Sequence, residues 1–268
     1  MVRPKDMPRI DILREYAAYG DIRFEGKFAY AWNERENMLD IIEPYNLDEL
    51  VAGKNDMDVA ITLMDWLHRH YKHGNPPGGL PDERTPQALM AAADRFDGRT
   101  NCRGLSLILA QLLRAYSIKA YHATCYPYEE PFDDCHVVVQ AYSEHLGKWI
   151  MLDPTGNLYL KNAVGQIVCI DEFREILIAG GEIVSNHGQS NRDVTSGSEY
   201  TFKDYCDYMA KNLIRIVRGA NHGYGIDYRT SGGTFITLMP EKYMNNEAQN
   251  LESEQNEIFI TSKESFWR

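Results

Sequence analysis

Asn101-Cys102-Arg103-Gly104-Leu105-Ser106-Leu107-Ile108-Leu109-Ala110-Gln111-Leu112-Leu113 is the stretch on which the fold turns. Leu105, Ile108, Leu109, Leu112, Leu113 and Tyr116 recur at helical spacing and form one wide apolar face, which predicts a buried helix. Cys102 falls in its first turn. Backbone N–H groups there have no intrahelical acceptor and the helix dipole is positive, so a thiolate is favoured over a thiol. An unperturbed thiol, with a pKa near about 8.5, is only a few per cent ionised at neutral pH. The same N–H groups can receive the oxyanion that forms when a carbonyl is attacked.

Downstream, Ile118 to Tyr126, His136 to Tyr142 and Lys148 to Leu152 read as strands, and the short turn Ser143 to Gly147 predicts an antiparallel hairpin between the last two. Strand alternation sends Val137, Val139 and Ala141 into the core, and His136 to the opposite face, towards the start of the cysteine helix. Asp153 ends the neighbouring strand, immediately before Pro154, which stops regular pairing. A carboxylate there fixes the tautomer and orientation of the imidazole and leaves its other nitrogen for the thiol. These residue types in this order point to Cys102 as nucleophile, His136 as base and Asp153 as the orienting acid.

Upstream, a helix starts at Asn55 or Asp56 and carries Val59, Leu63, Trp66, Leu67 and His70 on one face; it stops at Gly74 and the loop Asn75-Pro76-Pro77-Gly78-Gly79. A second covers Pro86 to Phe96, with proline in its favoured first turn. The first 54 residues are weakly periodic, with a short helix around Ile12, Leu13 and Tyr16 and a buried segment from Met38 to Ile42. Beyond the hairpin, Asp171 to Ala179 reads as a helix, and the polar stretch Asn186 to Glu199 reads as a linker or mobile loop. A last helix from Phe202 to Val217 precedes strands at Thr234 to Leu238 and Ile258 to Thr261. The chain therefore divides into an extension (1–54), a core (55–185), the linker (186–199) and a module packed on the core (200–268).

The 268 residues carry a net charge of −11, which repels phosphate backbones and anionic membranes, so neither nucleic acid nor membrane is an expected partner. No apolar run reaches the roughly 20 residues of a membrane span and the start has no signal-peptide pattern, so a cytoplasmic location is expected. Five cysteines at 102, 125, 135, 169 and 206, with no CxxC pair, fit reduced thiols.

Cys102 opening an apolar helix to Ala115, then His136-Val137-Val138-Val139, then Trp149-Ile150-Met151-Leu152-Asp153-Pro154-Thr155 resembles the transglutaminase-like superfamily, over about residues 55 to 160. The helix with Asp65-Trp66-Leu67 looks like the one that packs behind that family's cysteine helix. The resemblance implies an α+β papain/transglutaminase-like fold, a helix bearing the cysteine packed on an antiparallel sheet bearing the histidine and aspartate. It implies thiol-dependent acyl transfer at an amide bond of a peptide or protein, hydrolysis favoured over amine transfer, with no cofactor. Val137 stands where many members have tryptophan, and the chain lacks the calcium loops and β-sandwich domains of the cross-linking enzymes. The family includes non-catalytic members, so a binding or scaffold protein is the competing expectation.

Other residues have plainer readings. Cys125 and Cys135 are expected to pack in the core. His68, His70 and His73 raise the thought of zinc, but 68 and 70 lie on different helix faces with no evident fourth ligand, so no metal is expected. Asn101 and Trp66 are candidate oxyanion or cleft residues, although a helix cap suits the first and core packing the second. Tyr205 and Tyr208 read as a core or partner-facing stripe.

Overall fold

The computed structural model describes residues 7–31, 34–129, 134–188, 201–246 and 256–268. The first part of the chain contributes α1 (Arg9–Glu15), β1 (Ala29–Tyr30), a 3-10 turn at Glu34–Met38, α2 (Leu39–Ile42) and α3 (Leu47–Val51). The middle runs α4 (Asp56–His70), β2 (Lys72–His73), α5 (Pro86–Asp94), β3 (Arg99–Thr100), α6 (Cys102–Ala115), β4 (Ala120–Tyr126), β5 (His136–Ser143), β6 (Lys148–Leu152), β7 (Leu160–Asn162), α7 (Ile170–Ala179) and β8 (Ile183–Ser185). The last part holds α8 (Phe202–Asn212), β9 (Arg215–Gly219), β10 (Asn221–His222), β11 (Phe235–Leu238), α9 (Glu241–Asn246), β12 (Glu257–Ile260) and α10 (Lys263–Phe266). No described helix is long and apolar enough to cross a membrane.

Six strands form the main sheet in the order β12-β11-β9-β4-β5-β6, antiparallel except for β11 and β12. The fold is α+β, and the helix expected to carry Cys102 packs on the strands expected to carry the site. β5 and β6 pair as the predicted hairpin, Ser143 opposite Lys148 and Val139 opposite Leu152. The segment read as one helix from Phe202 to Val217 instead breaks at Leu213 and continues as β9. Every residue of β9 is buried, and a strand paired on both edges satisfies its backbone while Ile216 and Val217 fill opposite faces, which a single amphipathic helix stripe cannot do. The C-terminal segment thereby extends the core's own sheet. The expected linker lies outside the described residues beyond Gly188.

Both faces of this sheet are covered. On one face α4, α5 and α6 meet Val139, Ala141, Ile150 and Leu152. On the other, α1, α7 and α8 meet Tyr121, Ala123, Cys125, Val138 and Met151. The cysteine helix lies deepest, with every residue from Gly104 to Ala115 buried. Asn101 caps it, its side-chain oxygen accepting from the Gly104 N–H at 3.0 Å. A Cβ on Gly104 would stand 2.2 Å from Thr100 Oγ1, so glycine is what lets β3 turn tightly into the helix. Two polar ties set the helix against its surroundings. Ser106 Oγ donates to Val137 O at 2.9 Å, beside His136, and Arg114 forms a buried ion pair with Glu34 at 3.2 Å.

Candidate active site

β4 and β5 run antiparallel with Cys125 opposite His136, so His136 enters the sheet at its rim, level with the start of α6. It shares the parity of Val138, which packs against α8, and not that of Val139, which packs against α6. Asp153 likewise shares the parity of Met151. Its backbone leaves the hairpin and pairs with Leu158 in both directions, at 2.8 and 2.9 Å, through a turn that passes Asn157 at φ +50°. That turn holds the carboxylate at the end of β6.

His136 Nε2 lies 2.6 Å from Asp153 Oδ2. The same oxygen accepts from Tyr205 Oη at 3.0 Å, and Oδ1 accepts from the Thr155 N–H at 3.0 Å. With Nε2 so engaged, Nδ1 is left to serve Cys102, whose sulfur lies near enough to His136 and His73 for both rings to lower its pKa. His136 and Asp153 are thus in direct contact, and Cys102 lies within electrostatic reach of the ring.

The charges follow from this arrangement. Burial alone would raise the Cys102 pKa, but the hydrogen bonds and charge of His136 and His73 outweigh it and bring it down to about 6. Burial works against a charged imidazole too, yet Asp153 and the Cys102 sulfur raise His136 to about 10. Asp153, deeply buried, is held below the usual carboxylate range by His136, Tyr205 and Thr155. Both shifts favour the charged forms, thiolate on the sulfur and imidazolium on the ring. The other four cysteines move the opposite way, all raised by burial, Cys135 to about 11 and Cys169 and Cys206 to about 12. Alkylation by iodoacetamide is therefore expected to be fastest at Cys102, with a midpoint near pH 6 against about 8.5 for an ordinary thiol. Below that midpoint the thiolate is lost and the rate falls; mass spectrometry of peptides labelled across pH 4 to 9 measures it.

The remaining candidates lie as follows. Asn101 caps the helix through its side-chain oxygen. Trp66 is buried in the core with its ring against Tyr45 and His70. The three histidines of 68–73 diverge: His68 Nδ1 faces Pro154 O at 3.1 Å, His70 Nδ1 faces Trp66 O at 2.8 Å, and His73 turns to Cys102. No group of three metal-binding side chains occurs among the described residues. Cys135 ends just before β5, half-buried against Tyr126, Val217, Tyr228 and Phe235.

Two contributions escaped the sequence. His73 reaches the sulfur because β2 pairs in parallel with β3, placing His73 opposite Thr100, two residues before Cys102. Nothing local in residues 72–73 marks that pairing. Arg103, the residue after Cys102, is the other. Its guanidinium donates to Asp227 at 2.9 Å, Thr124 at 2.8 Å and Tyr228 at 3.2 Å, and lies over the Tyr228 ring. Asp227 also takes Arg84 Nε at 3.2 Å and lies 3.5 Å from His122 Nε2. Burial would raise its pKa, but His122 and Arg103 hold it far below the usual carboxylate range. This buried knot fastens the tip of α6 to the C-terminal part of the chain.

Comparison with known proteins agrees with the core of this picture. No curated protein matches the chain significantly. Among solved structures, a "putative cysteine protease" from Cytophaga hutchinsonii shares 20% identity at a TM-score of 0.34, over 57% of this chain and 50% of that one. A "putative protease" from Parabacteroides distasonis shares 11% identity at a TM-score of 0.27, over 51% of this chain and 29% of that one. The chain thus spans about half the length of the first and less of the second, and at this level of likeness neither bears on the assignment. The model of the transglutaminase-like superfamily matches residues 47–154, the span that contains α4, α5, the cysteine helix and the hairpin. Residues 47–154, with Cys102, His136 and Asp153 inside them, are thus similar to the core of the transglutaminase-like superfamily.

Proposed function

We propose that the protein is a thiol acyl-transfer enzyme acting on amide bonds of a peptide or protein, with Cys102 as nucleophile, His136 as acid and base, and Asp153 as the orienting carboxylate. The observation that carries this reading is the 2.6 Å contact of His136 Nε2 with a buried Asp153, on a ring that also lowers the pKa of Cys102. An imidazole so held is charged at neutral pH and keeps the sulfur ionised beside it.

The Cys102 thiolate attacks the amide carbonyl, forming a carbon–sulfur bond and an oxyanion. The Cys102 N–H, in the unpaired first turn of α6, donates to that oxyanion, and His73, the second ring acting on the sulfur, is the further donor this reading assigns. His136 Nδ1 then gives its proton to the leaving nitrogen as the carbon–nitrogen bond breaks, leaving a thioester and a neutral imidazole. Water, deprotonated by that imidazole, attacks the thioester, and the carboxylic acid leaves as the thiolate–imidazolium pair re-forms. We assign water as the acceptor because the neutral ring beside the thioester is the one further group hydrolysis needs; an amine would need a site of its own.

His73→Ala tests the oxyanion side. Loss of one donor to a developing oxyanion costs about 100-fold in turnover, measured with a fluorogenic peptide library in single-turnover mode. Cys102 labelling at pH 7 should fall far less, since His136 remains. Equal losses in both would place His73 on the thiolate alone.

A further inference from the structure

Helix α8 lies outside the matched span of 47–154, yet it delivers two phenols to the site. Tyr205 and Tyr208 are three apart on one helix and so share a face. Tyr205 Oη donates to Asp153 Oδ2, the oxygen that also holds His136 Nε2. The Tyr208 ring stands edge-on to the His136 ring, centroids 5.5 Å apart at 73°, and its hydroxyl donates to Cys135 O at 3.2 Å, the carbonyl just before His136. The Tyr205 ring is itself locked, stacked between Phe173 of α7 and Phe202 at 6.2 and 6.3 Å. Its hydroxyl proton stays on at any working pH, because burial and the adjacent carboxylate raise its pKa well above the ordinary value.

We propose that Tyr205 is a positioning residue of the site, setting through the shared Asp153 oxygen how strongly that carboxylate holds the His136 imidazolium. This rests on the reading of Cys102, His136 and Asp153 given above. A hydrogen bond from a neutral phenol draws charge from Oδ2 and weakens its pull on the ring. The effect is useful because His136 must release its proton to a leaving amine: a ring held too tightly is too weak an acid. The titratable groups facing His136 are Asp153, Cys102 at the tip of α6, Cys125 opposite it on β4, and Tyr205 and Tyr208 on α8; of these only Tyr205 touches the carboxylate besides the ring.

The test is Tyr205→Phe, which keeps the stacked ring and deletes the donor. Histidine ring nitrogens are followed by 15N NMR across pH 5 to 11 in wild type and variant, with thermal unfolding as a check on the fold. The expected result is a His136 titration moved upward by about 0.5–1 unit, as removal of one hydrogen bond to a charged group would give, together with slower single-turnover acylation. A titration unmoved within 0.2 unit, or moved downward, overturns the proposal. Should the variant not fold, the wild-type hydroxyl decides: a slowly exchanging Tyr205 hydroxyl proton with a nuclear Overhauser contact to the His136 ring supports the bond, and its absence overturns it. The His136 titration needs no turnover, so the Tyr205 proposal and the acyl-transfer reading fail separately; slow wild-type labelling of Cys102 sinks only the latter.

Discussion

His136→Ala slows alkylation of Cys102 at pH 6.5 by about 100-fold. In the wild type the thiol, brought to about 6, is mostly ionised at that pH. Without the imidazolium, burial acts on the sulfur with only His73 left to oppose it, and a pKa returned to 8.5 or above leaves about 1% thiolate. Turnover should fall further, by a factor on the order of 10⁴ or more, because the variant loses the acid for the leaving amine as well as the thiolate. Iodoacetamide rates from intact-protein mass spectra check the first number. A variant labelled as fast as wild type would mean that the helix start alone ionises the sulfur. Asp153→Asn should lie between the two, since the ring keeps its place but loses the charge that makes it an imidazolium.

Asp227→Ala is expected to cost about 3–5 kcal/mol of stability, as removal of one partner from a buried ion cluster does. Arg103 and Arg84 are both largely buried and both lean on this one carboxylate. At about 2–4 °C per kcal/mol for a chain of this size, the melting temperature drops by about 10 °C. The loss is also functional, because Arg103 follows Cys102 directly. With its guanidinium freed, the tip of α6 loses its tie to Thr124 and Tyr228, and Cys102 labelling should slow even well below the melting temperature. The sign with pH follows from Asp227. Its folded pKa lies below its unfolded value, so its stabilisation is complete above about pH 4–5 and is lost as pH falls below that. Differential scanning calorimetry at about pH 2.5 and pH 7 measures it: the gap between variant and wild type should narrow at the lower pH.

The cysteine helix was legible because its signals are local: an asparagine cap, a first-turn cysteine and a leucine face repeating every three to four residues. The hairpin was legible for the same reason, through valine runs either side of a short polar turn. What the sequence concealed was contact between distant pieces. His73 meets Cys102 only because two-residue strands pair across 25 intervening positions of helix and loop, and a pair that short has no periodicity to read. Arg103 carries no local signal of its ties, since its partners Asp227 and Tyr228 lie 124 and 125 residues on. Tyr205 and Tyr208 read as a core or partner-facing stripe, and both do pack in the core, but their contact with the site was hidden. Reading Phe202 to Val217 as a single helix concealed β9, and with it the fact that the C-terminal segment joins the core's sheet. Once β9 pairs with β4, α8 must cover the sheet's second face, and that is the face His136 shares.

The most direct test is to trap the acyl group. The protein is mixed with a slight excess of an activated ester such as p-nitrophenyl acetate at pH 7, quenched in acid within seconds, digested and mapped by mass spectrometry. The account predicts a burst of p-nitrophenol stoichiometric with protein and a single acetyl group on Cys102, removable by hydroxylamine and absent in His136→Ala. No burst, or acetyl spread over Cys135, Cys169 and Cys206 as readily as over Cys102, would contradict it.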